Sequence, residues 1–321
     1  PAGDRGGREV DPAVGEIGDA AGVVRQVVDV DELEAQALGH EPDGAVRQRP
    51  GRVRRAREQL LGSLYSWPMG TWFTIFFIVP LAIIILYSFM KRGLYGGVEF
   101  ELTLNAYREM LNPSFAMVVV RTIWISVLAT LICILISLPC GYAMARSKHQ
   151  TLLLFLIIIP FWTNSLIRIY AWIFILSTEG LINSILIKIG LIDEGLRLIY
   201  NNGAVVLVLV YMYLPFAILP LFTTIDKFDF SLLDAARDLG ATKFTSLRKV
   251  MLPNIKSGVS TAFIFTFIPI FGAYTVPLLV GGKDSTMIGN IIVDQVSKTR
   301  NWPLASAFSM IITLASLVGV F

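Results

Sequence analysis

Chemistry-bearing side chains are scarce in this 321-residue chain, which has two histidines and two cysteines. His40 and His149 are far apart and lie in polar segments. Cys133 and Cys140 are seven residues apart, two helical turns along one face, a distance a disulfide within one helix cannot bridge. Both read more simply as small buried apolar residues. No C-x-x-C, H-E-x-x-H or calcium-loop pattern occurs, so no metal is expected. The phosphate-cradling G-x-x-x-x-G-K-[ST] loop is missing as well. The nearest approach is Gly281-Gly282-Lys283-Asp284, which has Pro277 where the first glycine belongs and Asp284 where the hydroxyl belongs. With no nucleophile–base or metal constellation either, a membrane enzyme finds no support, and no bound cofactor is expected.

Charge is absent from long stretches, and 55% of the residues are hydrophobic, for a mean hydropathy of +0.65. Six runs, at residues 68–90, 117–143, 151–177, 203–225, 258–281 and 304–321, contain no Asp or Glu. Each is near the ~20 residues that cross a ~30 Å hydrocarbon core. A buried-core helix usually shows an amphipathic stripe and stops near four turns, so runs this long point to an all-α chain with six membrane spans. The last run stops at the end of the chain, and a short cytoplasmic tail is expected beyond it.

Lysine and arginine set the expected orientation. Arg47, Arg49, Arg52, Arg54, Arg55 and Arg57 lie just before the first run, Arg146 and Lys148 lie between the second and third, and six further cations lie between the fourth and fifth. That makes fourteen on one side, against eight spread over three longer loops on the other. Both termini are therefore expected on the cytoplasmic side. This clustering at membrane edges also accounts for the net charge of +3 without any nucleic-acid partner. Residues 1–60 differ from the rest: they contain no Lys, Phe, Tyr, Met or Asn, and Ile17 is their one isoleucine. They read as a disordered or non-native cytoplasmic tail, with the membrane domain at 61–321.

The loop at 226–257 is polar between two apolar runs, and it has internal order. Ser231-Leu-Leu-Asp234 fits a capping box at the start of a helix running to Leu239. Gly240 supplies a permissive turn. In a second helix Phe244, Leu247, Val250 and Met251 share an apolar face, and Pro253 is expected to stop it. The result is a helical elbow suited to docking.

Asp234-Ala235-Ala236, three residues, Gly240, nine residues, then Val250-Met251-Leu252-Pro253 resembles the signature loop of bacterial ABC importer permeases. That pattern reads Glu-Ala-Ala, three residues, Gly, nine residues, Ile, one residue, Leu-Pro. Every spacing is kept, with Asp for Glu and Val for Ile. "FWTNSLIRIYAWIFIL" (161–176) and "LTLNAYREML" (102–111) look like the B-type permeases that handle spermidine and putrescine. The resemblance covers the chain from about Trp67 onward. It implies a type I importer transmembrane domain whose loop forms a coupling helix, with Asp234, Ala235, Ala236, Gly240, Ala241, Phe244, Leu252 and Pro253 as the coupling residues. It also implies a dimer of ATP-binding subunits that holds ATP and Mg, a second homologous permease and an extracytoplasmic substrate-binding protein. Related permeases carry iron, thiamine or opines, and these substrates stay open.

Polar residues inside spans are functional candidates. The densest set is Thr163, Asn164, Ser165, Arg168, Tyr170 and Trp172 in the third run. Asn164 and Arg168, four apart, are expected on one helix face. They line the translocation path or a partner interface, or else form a structural hydrogen-bond cluster with Arg168 reaching for the headgroups. Tyr211 and Tyr274 are further path candidates. The lack of intramembrane acids fits poorly with a dicationic substrate, and it also argues against an ion-coupled secondary transporter.

Overall fold

The computed structural model describes residues 67–320. The unit formed by residues 71–321 carries the fold. The expectation for the tail at 1–60 lies outside the described residues.

Among the described residues the fold is helical apart from one small hairpin. Helix α1 (Trp67–Ser88) is followed by antiparallel strands β1 (Met90–Arg92) and β2 (Val98–Leu102), which pair Met90 with Leu102 and Lys91 with Glu99. A short helix α2 (Asn105–Met110) leads into α3 (Pro113–Ala145), whose 33 residues include Pro139. At 1.5 Å per residue α3 is ~50 Å long, well beyond a ~30 Å core, so it extends past the apolar slab. Next come α4 (Gln150–Ile158), α5 (Ser165–Leu176), α6 (Leu181–Lys188) and α7 (Asn202–Asp226).

The polar loop folds as α8 (Ser231–Asp238) and α9 (Lys243–Asn254). It leads into α10 (Lys256–Phe271), α11 (Thr275–Val280), α12 (Ile288–Ser297) and α13 (Trp302–Val320).

Helix α7 is the centre of the bundle. It packs most extensively on α3 and then on α10, and α13 lies against α1. Small residues let the backbones approach: a Cβ on Gly141 of α3 would lie 3.3 Å from the Phe222 amide of α7. Cys133 is fully buried in the same seam, with Sγ 3.7 Å from the Val210 carbonyl oxygen, and both cysteines are free. A second cluster joins Phe271, Ile288 and Phe308 across α10, α12 and α13.

Among the described residues, four helices are long and apolar enough to cross a membrane unaided: Trp67–Ser88, Pro113–Ala145, Ser165–Lys188 (α5 and α6 joined by a turn) and Asn202–Asp226. A fifth candidate is the pair α9–α10, bent by 72°. Two of the six expected runs are broken helices. The run at 151–177 ends its first part in a 3-10 turn, Ile159–Trp162, and restarts at Ser165. Thr163 Oγ1 donates to the Pro160 carbonyl at 2.6 Å, and Asn164 Oδ1 accepts from the Leu166 amide at 2.8 Å. These side chains offer the backbone an alternative to continued helix. The run at 258–281 breaks at 272–274, beyond Pro269. There Asn290 Nδ2 donates to the Tyr274 carbonyl at 2.9 Å, tying α12 to the break.

Candidate coupling elbow and intramembrane cluster

Helix α8 does not start with the expected capping box. Its cap is Asp229, whose Oδ1 accepts from the Ser231 amide at 3.0 Å, while Phe230 at the cap position makes no side-chain bond. Asp234 instead pairs with Arg237 at 3.3 Å. An aspartate two residues upstream reaches the exposed amide with less chain distortion than the Ser231–Asp234 box requires. The Ser231 hydroxyl and amide both favour the charged form of Asp229, so its carboxyl is held below the ordinary 3.8. The stabilisation is therefore fully present above that value and is lost as pH falls through the lower folded pKa. Asp229→Ala should speed hydrogen exchange at the first-turn amides of α8 at neutral pH. In the unaltered chain those amides should stay protected until the pH drops below the ordinary carboxylate range.

The turn after α8 is a Schellman motif. Gly240 has φ +87°, its amide donates to the Arg237 carbonyl at 2.8 Å, and the Ala241 amide donates to the Ala236 carbonyl at 3.0 Å. Thr242 then caps α9, accepting from the Thr245 amide at 3.2 Å. Pro253 does not stop this helix, which runs on to Asn254. Residues Leu247–Met251 form a π turn in which the Leu252 amide reaches back to the Leu247 carbonyl. That wider register shifts the carbonyls just ahead of the proline, so the missing N–H and the ring are accommodated. The break comes at Ile255, where α10 leaves at 72°.

One side of the elbow is anchored to the bundle. Leu233, Met251 and Ile255 are buried in the main core, and Leu247 and Val250 pack on it. Phe230 meets Tyr142 edge-on at 6.0 Å, and the Arg146 guanidinium sits 5.5 Å from the Phe230 ring while donating to the Tyr142 hydroxyl at 3.1 Å. Gln150 Nε2 donates to Asp226 Oδ1 at 3.1 Å, tying α4 to the end of α7. The elbow is therefore joined to α3, α7 and α10 by packing and by chain continuity. Tyr142, Arg146, Asp229 and Phe230 were missed by sequence reasoning; the aromatic pair Phe228 and Phe230 at the start of the loop was the available signal.

The other side of the elbow is open. Asp234, Ala235, Gly240, Leu252 and Pro253 are exposed and Ala236 and Ala241 half-buried, while Leu239 is 90% and Phe244 73% exposed. Phe244 also rims an apolar groove of about 540 Å³ between α9 and the Leu135–Tyr142 end of α3.

The intramembrane candidates separate into two groups. The Trp172 and Tyr211 rings meet edge-on at 5.4 Å, joining α5 to α7. Arg168 lies 4.8 Å from the Phe161 ring centroid, and Phe161 packs on Phe216 at 5.7 Å, next to Tyr213. Arg168 and Trp172 are four apart and share a face. Asn164 does not share it, because it lies before the helix and spends its oxygen as the cap of α5. Tyr170 is exposed, about 200° around the helix from Arg168. Tyr274 caps α11 at the second break and is half-exposed.

A protein-family model described as the binding-protein-dependent transport system inner membrane component matches residues 133–321, from the middle of α3 through the elbow onward. The spermidine/putrescine transport system permease protein PotB of Haemophilus influenzae is 37% identical over 253 residues, covering 78% of this chain and 88% of that protein. PotB of Escherichia coli is 37% identical over 245 residues, covering 76% and 89%. Among solved structures, a bacterial ABC transporter involved in the import of the acidic polysaccharide alginate superposes with a TM-score of 0.67 at 16% identity, over 84% of this chain and 96% of that one. That likeness concerns the fold alone. The chain belongs to the binding-protein-dependent transport system inner membrane components, the membrane permeases of ABC importers.

Proposed function

We propose that this permease imports spermidine and putrescine across the bacterial inner membrane. It works beside a second homologous permease, above a dimer of ATP-binding subunits and below an extracytoplasmic binding protein, with its own termini in the cytoplasm. The observation that carries the substrate is the 37% identity to PotB of two organisms across most of both chains. ATP and Mg belong to the partner subunits, and this chain performs no covalent chemistry. The exposed Leu239 and Phe244 are the apolar surface that an ATP-binding subunit covers, with Asp234 at its edge. When those subunits close, the elbow moves as a unit, because Gly240 fixes the angle between α8 and α9. The Tyr142–Arg146–Phe230 contact passes the motion to α3, and the passage changes the side on which it opens.

A polyamine needs partners for its ammonium groups, and the six runs supply no carboxylate. Aromatic faces can serve, and Trp172 and Tyr211, whose rings meet edge-on at 5.4 Å, are the pair this reading assigns to the role. Pro215 has no N–H for the Tyr211 carbonyl, and Pro220 has none for the Phe216 carbonyl, so two oxygens of α7 lack their helical donors. Trp172→Ala should lower uptake roughly fivefold, the equivalent of the ~1 kcal/mol that an aromatic pair contributes, with the assembled complex recovered in normal amount. Loss of the complex would make the pair a packing contact. The missing carboxylates favour one second reading, a different small solute carried by the same machinery.

The test is uptake of labelled spermidine by cells whose own polyamine permeases are deleted, given this chain with its cognate partners. Uptake that depends on this chain supports the reading. Absence of spermidine uptake alongside uptake of another solute refutes the substrate.

A further inference from the structure

We infer that an anionic phospholipid, from the leaflet on the elbow's side, occupies the groove between α9 and α3. One acyl chain lies among the apolar side chains, and the phosphate sits on Arg248. The inference adds a lipid site to the permease and does not depend on which solute is carried.

The groove joins an apolar channel to a single charge. Its volume of about 540 Å³ is in the ~300–1,000 Å³ range of small-ligand sites. Leu135 and Leu138 of α3 form one wall and Met251 and Leu252 of α9 the other, and Arg248 is the one charged residue of the lining.

Its position favours a lipid chain. Leu135 is 71% exposed and lies in the apolar run that ends at residue 143, ~12 Å back along α3 from that end. A subunit outside the membrane does not reach this wall, although Phe244 at the rim is shared with the surface assigned to an ATP-binding subunit. At the other end, Tyr142 of the lining accepts a hydrogen bond from Arg146, just past the run. The groove therefore leads from the apolar run to its charged edge.

Charge selects the headgroup. Helix α9 carries Lys243, Arg248 and Lys249 and no acid. No salt bridge to Arg248 forms among the described residues, and its side chain is exposed. Two acids of the elbow are already engaged, Asp229 by Ser231 and Asp234 by Arg237. A guanidinium offers paired N–H donors that match a phosphate. A zwitterionic lipid would bring an ammonium group to the same three cations, and an anionic one does not. Basic residues beside a span attract anionic lipid in general; the groove beside Arg248 holds one molecule in place.

The test uses the full complex, purified through a tag on this chain and reconstituted in phosphatidylcholine vesicles. A trace of phosphatidylglycerol or of phosphatidylcholine carries a photoreactive group in its acyl chain, and labelled peptides are mapped by mass spectrometry. Residues 135–142 and 244–252 should be labelled at least about fivefold more by the phosphatidylglycerol probe, the worth of one basic side chain against anionic lipid. Arg248→Gln should remove that preference. Leu138→Trp, which fills the groove, should lower labelling of 244–252 by either probe while Arg248 remains. Equal labelling by the two probes in the unaltered complex makes the groove ordinary lipid-facing surface and overturns the site. Labelling by neither means that protein covers the groove, and overturns it too. A preference that survives Arg248→Gln overturns the phosphate contact. None of these readouts involves uptake, so the lipid site and the substrate reading fail separately.

Discussion

Gly240→Pro is expected to leave the permease in the membrane and abolish most of its transport, with uptake down at least tenfold while ATP hydrolysis by the partner subunits continues. The glycine sits at φ +87°, and its amide donates to the Arg237 carbonyl at 2.8 Å. Proline is fixed near φ −65° and has no amide hydrogen, so the substitution removes both the turn and the bond, at a cost of ~3 kcal/mol or more. The Schellman turn opens, and α8 and α9 no longer hold a fixed angle. Nothing lies within 4 Å of a Cβ built on Gly240, so Gly240→Ala meets only the left-handed backbone penalty of ~1 kcal/mol. It should keep much of the uptake. Measured side by side in proteoliposomes, uptake and ATPase separate the two variants. Normal uptake with Gly240→Pro would remove the elbow from the coupling path.

Gly258→Val is expected to fail earlier, at folding. Gly258 lies on α10 just past the 72° bend and faces Thr224 of α7. A Cβ there would collide with the Thr224 hydroxyl and come 2.6 Å from the Thr224 Cβ. Thr224 cannot swing aside without cost, because its Oγ1 donates to the Pro220 carbonyl at 2.9 Å. Overpacking of this kind costs ~1–3 kcal/mol when neighbours can yield, and the Thr224 Cβ, bonded directly to the α7 backbone, cannot yield as the end of a long side chain would. The expected result is little monodisperse protein after detergent extraction. Gly258→Ala combined with Thr224→Gly moves the small residue to the other helix and should recover much of the yield. A normal yield from Gly258→Val alone would show that α7 and α10 are not in close contact.

The class of the fold was legible because hydropathy and length carry it. Long apolar runs without acidic residues mark the helices of this chain, and the elbow was legible because Gly240 and its spacing encode a turn. What the runs hid were the breaks. Hydropathy does not register which donor each carbonyl finds, so Thr163 and Asn164 sit in an apolar run and still interrupt it. Tyr274 is similar: the bond that holds its carbonyl comes from Asn290, sixteen residues away. The fate of Pro253 depended on a π turn that no local pattern announced. The Asp229 cap lay two residues upstream of the expected box and was within reach of closer reading. Arg146, Tyr142 and Phe230 form one contact from segments more than eighty residues apart, and only packing reveals it. Arg168 was visible as a charge within a run; its contact with the Phe161 ring was not.

The most direct test of coupled polyamine import is ATPase activity of the purified complex reconstituted with its binding protein and offered a panel of solutes. The expected result is stimulation by spermidine or putrescine in the unaltered complex and its loss with Gly240→Pro. Stimulation by another solute alone, or an equal response from the Gly240→Pro complex, would contradict it.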